Sequence, residues 1–91
     1  MKVGFVGLGN VGSKLCGTLL RNGVDLTVHD LDPAPVAGFV ERGATASETP
    51  ADAMRACDVV ITCLPSPTIS AAVVTDMLPE VTSGKVWMEM S

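Results

Sequence analysis

The chain has 91 residues, 47% of them hydrophobic and 18% charged, with a formal net charge of −4. That length allows one small domain that buries only about 60–65% of its unfolded surface, and that composition argues against disorder and fits a sheet covered on both faces. The acidic balance and the lack of a Lys/Arg cluster argue against a nucleic-acid surface or a basic membrane patch, and no apolar run approaches the roughly 20 residues a membrane helix needs.

Residues 2–6 give the β-branched and aromatic content of a short buried strand, and from Val11 the apolar spacing becomes helical through Val11, Leu15 and Leu19, with Cys16 and Leu20 beside them. Arg21-Asn22-Gly23 ends that helix, and 24–29 alternates Val24, Leu26 and Val28 as a second strand closed by Asp30. Asp32 is positioned to cap a helix with Pro33 or Pro35 in its first turn, running through Val36, Phe39 and Val40 to a stop at Gly43. Residues 44–46 are the candidate third strand. Thr49-Pro50-Ala51-Asp52 then predicts a capped helix to about Ala56. Residues 58–63 (DVVITC) form the clearest buried strand, and Ser66-Pro67 repeats the cap-and-proline signal before a helix with Ile69, Ala72, Val73 and Met77 on one side. Pro79 and Gly84 bracket its exit, and 85–90 reads as a fifth strand, with Trp87, Met88 and Met90 expected in the core. This alternation predicts an α/β fold, a doubly wound parallel (Rossmann) sheet of about five strands in spatial order 3-2-1-4-5.

Gly7, Gly9 and Gly12 fill the pattern G-x-G-x-x-G between the first strand and first helix. Gly7 permits the tight turn, a side chain at Gly9 would keep a pyrophosphate from the backbone, and one at Gly12 would push the helix off the strand. The N–H groups and positive dipole end of a helix starting near Asn10 then face an anion. Asp30 lies 18 residues beyond Gly12, where a carboxylate accepts hydrogen bonds from the adenosine ribose and repels a 2′-phosphate, which favours NAD over NADP. Asp30 as a mere turn residue is the plainer alternative. Sheet order reverses between the first and fourth strands, so Leu64 and Pro65 are expected opposite the glycine turn, whether as cofactor wall or only as a strand end. His29 fits adenine-side packing or plain exposure better than catalysis. Cys16, Cys57 and Cys63 are odd in number and form no C-x-x-C pair, so buried reduced thiols are expected and neither disulfide nor metal site. The N-terminus reads as strand and turn, not as a signal peptide, and the cytoplasm is the expected location.

GFVGLGNVGSKL, HDLDP, GAT, ADAMRACDVVITCLPSP and VWMEMS together resemble the N-terminal domain of the β-hydroxyacid dehydrogenase family, over the whole chain. The glycine turn of that family usually carries Met where Val11 stands. The resemblance implies that Gly7, Leu8, Gly9, Asn10, Val11 and Gly12 surround the NAD pyrophosphate, that Asp30 takes the ribose, and that Leu64 and Pro65 line the nicotinamide half. Asp30-Leu31 in place of the Asn-Arg of NADP-using relatives also points to NAD. Glu89-Met90-Ser91 resembles the start of the family's substrate motif, with Glu for the usual Asp, and makes Ser91 a substrate-binding candidate. The family's catalytic lysine lies later, at the start of or within a helical second domain, and none of Lys2, Lys14 and Lys85 corresponds to it. For the parent protein the resemblance implies hydride transfer between NAD and a β-hydroxy acid such as 3-hydroxyisobutyrate or a short semialdehyde, in a homo-oligomer joined through that second domain. The alternatives are a non-catalytic dinucleotide-binding module or truncated product, and an imine reductase-like relative.

Overall fold

Five parallel strands form one sheet in the computed structural model, which describes residues 1–64 and 66–90. In chain order the elements are β1 (Lys2–Val6), α1 (Asn10–Arg21), β2 (Asp25–His29), α2 (Pro33–Glu41), β3 (Thr45–Ala46), α3 (Pro50–Ala56), β4 (Val59–Thr62), α4 (Pro67–Met77), a 3-10 turn (Leu78–Glu80) and β5 (Val86–Glu89). The spatial order β3-β2-β1-β4-β5 is the expected one. β1 lies at the centre, with Val3 opposite both Leu26 of β2 and Val59 of β4.

Helix starts follow the cap-and-proline signals. Asp32 accepts from Ala34 N–H at 3.1 Å, Thr49 from Asp52 N–H at 3.0 Å and Ser66 from Ile69 N–H at 3.2 Å, each followed by a proline at the first or second helical position. Two strands are shorter than expected because their first residues close the preceding helix: Val24 N–H bonds to Leu19 C=O and Ala44 N–H to Phe39 C=O. These bonds satisfy carbonyls that a helix end leaves without partners.

The chain reverses its direction of travel across the sheet after β3, and this puts the helices on opposite faces. Cys16 of α1 and Phe39 of α2 join Phe5, Leu26 and Val28 on one face; Met54 of α3 with Val73 and Met77 of α4 join Val6 and Val60 on the other. Burying a side chain such as Phe5 or Met54, both 0% exposed, contributes roughly 2–3 kcal/mol. β5 is fastened to the second layer by Lys85, whose Nζ donates to Met54 C=O (2.7 Å), Arg55 C=O (3.1 Å) and Cys57 C=O (2.7 Å). Three ammonium protons thus meet the carbonyls at the end of α3, where a cation is also favoured by the helix dipole.

Three expectations about the core need correction. Met88 and Met90 are each 46% exposed; on β5, Val86 and Met88 face away from the α3/α4 layer, against which Trp87 packs, and Met90, just beyond β5, lines a cavity at the carboxyl ends of the strands. On α1 the buried positions are Gly12, Cys16 and Gly17; Leu15, Leu19 and Leu20 pack against the first core layer, but Val11 is left 61% exposed. On α4 only Val73 and Met77 are fully buried, and Ala72 is exposed.

Candidate functional site

The turn between β1 and α1 holds its three glycines for three different reasons. Gly7 has φ +101°, and a Cβ there would stand 2.1 Å from Cys63 C=O; its N–H donates to His29 C=O at 3.0 Å. Gly12 has its own conflict, since a Cβ would stand 2.1 Å from Gly7 C=O and 3.4 Å from the Phe5 ring. No real side chain tolerates such approaches to backbone, so both glycines are demanded by the fold. Gly9 is not: its backbone is extended (φ −71°, ψ −167°) and a Cβ would meet nothing within 4 Å. The space in front of Gly9 is open.

Gly9 is also the N-cap of α1, and as a glycine it offers no side chain to the helix. α2, α3 and α4 all carry side-chain caps. α1 has none, and no acid in its first turn, so the unpaired N–H groups and positive dipole end of its first turn remain for an anion.

Asp30 stands at the end of β2 beside this turn. Its Oδ2 accepts from Leu8 N–H at 2.5 Å and its Oδ1 from Asp32 N–H at 2.9 Å. Leu8 C=O accepts from Ser13 Oγ at 2.7 Å, and the Leu8 side chain is 4% exposed within the first core layer. His29 is 8% exposed, with Nδ1 3.1 Å from Ser47 C=O.

A cavity of about 880 Å³ opens at the carboxyl ends of the strands, within the range of sites that hold a sizeable ligand. Gly7, Gly9, Asn10, Val11, Gly12, Asp30 and Leu64 all line it, as sequence reasoning grouped them. Leu8 does not: it supports the turn from inside the core. Pro65 and Ser91 lie outside the described residues. α4 supplies the opposite wall through Thr68, Ile69 and Ala72. The sequence reading missed this wall, although the four-residue spacing of Thr68, Ala72 and Asp76 carries the signal; Val73 is shared between cavity and core, and Met77 belongs to the core alone. Ser13 was missed as well, because its hydroxyl serves a carbonyl on the far side of the turn.

The ionisable side chains on the cavity are His29, Asp30, Asp32, Cys63 and Asp76, and no Lys or Arg lines it among the described residues. A bound anion must therefore be held by backbone N–H groups and the helix dipole, and a further phosphate near Asp30 would meet only carboxylates. Among the described residues no group of three His, Cys, Asp or Glu side chains is placed to hold a metal ion, and no helix is long and apolar enough to cross a membrane. Cys16 and Cys57 are buried, and loss of solvation raises both thiols, Cys16 to about 11.

Residues 2–91 match the family described as the NAD binding domain of 6-phosphogluconate dehydrogenase. The probable mitochondrial 3-hydroxyisobutyrate dehydrogenase of Arabidopsis thaliana is 44% identical over 64 residues, covering 70% of this chain and 18% of that protein. Glyoxylate/succinic semialdehyde reductase 1 of the same plant is 35% identical over 94 residues, covering 100% of this chain and 32% of that protein. Among solved structures, an imine reductase of Streptomyces aurantiacus superposes with a TM-score of 0.90 at 26% identity, over 100% of this chain and 32% of that one. The chain thus spans at most about a third of these relatives.

Proposed function

The chain belongs to the family of 6-phosphogluconate dehydrogenase-type NAD-binding domains, and from that premise we propose that it binds NAD(H) across the turn from Gly7 to Gly12 as the cofactor half of a β-hydroxyacid dehydrogenase. The observation that carries the reading is Gly9. It alone of the turn glycines has no structural reason to lack a side chain, and an uncapped helix end lies directly behind it. Both features suit a pyrophosphate drawn against the backbone. Asp30 takes the adenosine ribose, Leu64 and Pro65 flank the nicotinamide half, and the acidic, cation-free lining supports NAD over NADP.

In the full-length protein the nicotinamide supplies the hydride. This chain's part is to bind and orient the cofactor; a lysine of a second, helical domain would exchange the proton with a small β-hydroxy acid or semialdehyde, and that domain would also join the subunits. Ser91 is the proposed first contact with substrate. A reducing compartment, the cytoplasm, suits three free thiols. Imine reduction is the second reading, favoured by the superposition on an imine reductase; it uses the same cofactor half, and the substrates accepted by the full-length protein separate the two.

Titrating the chain with NADH and NADPH, followed by Trp87 fluorescence with calorimetry as control, tests the cofactor assignment. Saturable NADH binding at least tenfold tighter than NADPH, about 1.4 kcal/mol, is expected. A folded chain that binds neither overturns it.

A further inference from the structure

We propose that Asp30 is a positioning residue for the glycine turn as well as the acceptor for the ribose, so that recognition of ribose and of pyrophosphate is coupled through one carboxylate. The inference rests on the cofactor reading above. Each oxygen of Asp30 already has a backbone donor, Leu8 N–H on Oδ2 and Asp32 N–H on Oδ1. Leu8 sits between Gly7 and Gly9, and all its groups are held: the N–H by Asp30, the C=O by Ser13 Oγ, and the side chain by the core. A turn made of glycine has more conformational freedom to lose than any other stretch of backbone. Pinning the residue between Gly7 and Gly9 fixes, before any ligand arrives, how the next peptide groups face the cavity. The carboxylate has acceptor capacity for about four hydrogen bonds; two are used by the backbone, and two remain for the two ribose hydroxyls.

Replacing the carboxylate therefore has opposed effects on a cofactor bearing a 2′-phosphate: it removes repulsion and it releases the turn. In Asp30→Asn one oxygen becomes an NH₂ group, which cannot accept from a backbone N–H, so Leu8 and Asp32 can no longer both be served. The expected result is that Asp30→Asn weakens NADH about tenfold or more, the worth of charge-assisted hydrogen bonds, and weakens NADPH as well instead of improving it. Ser13→Ala, at the other end of the Leu8 residue and away from the ribose, weakens both cofactors by the same factor, about fivefold, and leaves their ratio unchanged. Amide hydrogen exchange at Leu8 accelerates about tenfold or more in Asp30→Asn while the β1–β2 ladder keeps its protection, which also reports that the variant is folded.

Tighter NADPH binding in Asp30→Asn with unchanged Leu8 exchange overturns the proposal and leaves Asp30 as a ribose acceptor only. A Ser13→Ala variant that changes the NADH/NADPH ratio also counts against it. If the unmodified chain binds neither cofactor, the cofactor reading fails first; Leu8 exchange in the two variants then decides the positioning role alone, faster exchange supporting it and unchanged exchange overturning it.

Discussion

On one side of the cavity the turn from Gly7 to Gly12 presents backbone, fixed by His29 C=O, the Asp30 carboxylate and Ser13 Oγ; on the other, α4 presents the side chains of Thr68, Ile69 and Ala72. The first wall offers N–H groups and a helix dipole, which suit the charged middle of a dinucleotide, and the second offers small and apolar surface, which suits rings and ribose edges. Precision follows the same division. The backbone wall depends on approaches that leave no room for a Cβ, whereas the α4 wall is ordinary helix surface anchored from behind by Met77.

The largest effect separates two glycines inside the first wall. Gly12→Ala sets a Cβ against Gly7 C=O, where both partners are backbone and neither can move aside. The cost exceeds the 1–3 kcal/mol of ordinary overpacking, and in a domain this small it removes most of the roughly 5 kcal/mol available; loss of the cooperative thermal transition by circular dichroism is expected. Gly9→Val, three residues away, leaves the melting temperature within about 2 °C because its backbone angles suit any residue and its side chain enters open space. It weakens NADH by about 2 kcal/mol or more, some thirtyfold. A folded Gly12→Ala chain would show that the helix does not lie so close, and undiminished NADH binding by Gly9→Val would make the open face irrelevant to the cofactor.

The α4 wall has its own contrasting pair. Met77→Ala removes a fully buried side chain from the second core layer, away from the cavity, and is expected to destabilise by about 3 kcal/mol while leaving NADH affinity unchanged. Ala72→Glu does the converse: the position is exposed and on the cavity, so stability holds, but a fourth carboxylate joins Asp30, Asp32 and Asp76 and weakens NADH about fivefold. Urea unfolding and NADH titration of the two variants measure both quantities. Equal behaviour of the two would mean that α4 does not divide into a core side and a cavity side.

Strand order, helix starts and the structural need for Gly7 and Gly12 were legible in the sequence because each is written locally: a proline after a capping side chain, a change of period, a glycine at a fixed offset. Asp30 was found by its distance from Gly12, but not its bonds to Leu8 and Asp32, because a hydrogen bond across 22 positions leaves no local pattern. Met88 and Met90 were misjudged for a related reason. Hydrophobicity says that a residue prefers burial, not that a helix crosses its face, and α4 and α3 both lie on the other side of β4 and β5. Val11 failed because Gly12, close to the Phe5 ring, and Cys16 hold the side of the helix that meets the core, and an apolar periodicity does not count a glycine.

Cys63 lies where the two walls meet, its carbonyl against Gly7 and its residue on the cavity floor beside Leu64. It is half-buried, whereas Cys16 and Cys57 are enclosed and raised by loss of solvation. With a thiol at about 11, Cys16 is ionised at pH 8 to only about one part in a thousand, and the thiolate is the form that reacts. Iodoacetamide at pH 8 is therefore expected to modify Cys63 first, and NADH to slow that reaction about threefold by covering the floor. The same burial gives an alkaline signature. Above pH 9 the unfolded chain ionises Cys16 while the folded chain holds the proton up to about 11, so the unfolded state binds fewer protons and stability falls across that interval, by at most about 1.4 kcal/mol per pH unit. Below pH 9 the two states are equally protonated and the contribution is flat. Cys16→Ala should lose that part of the slope in urea titrations between pH 9 and 11, and an unchanged slope would assign the alkaline loss to other groups.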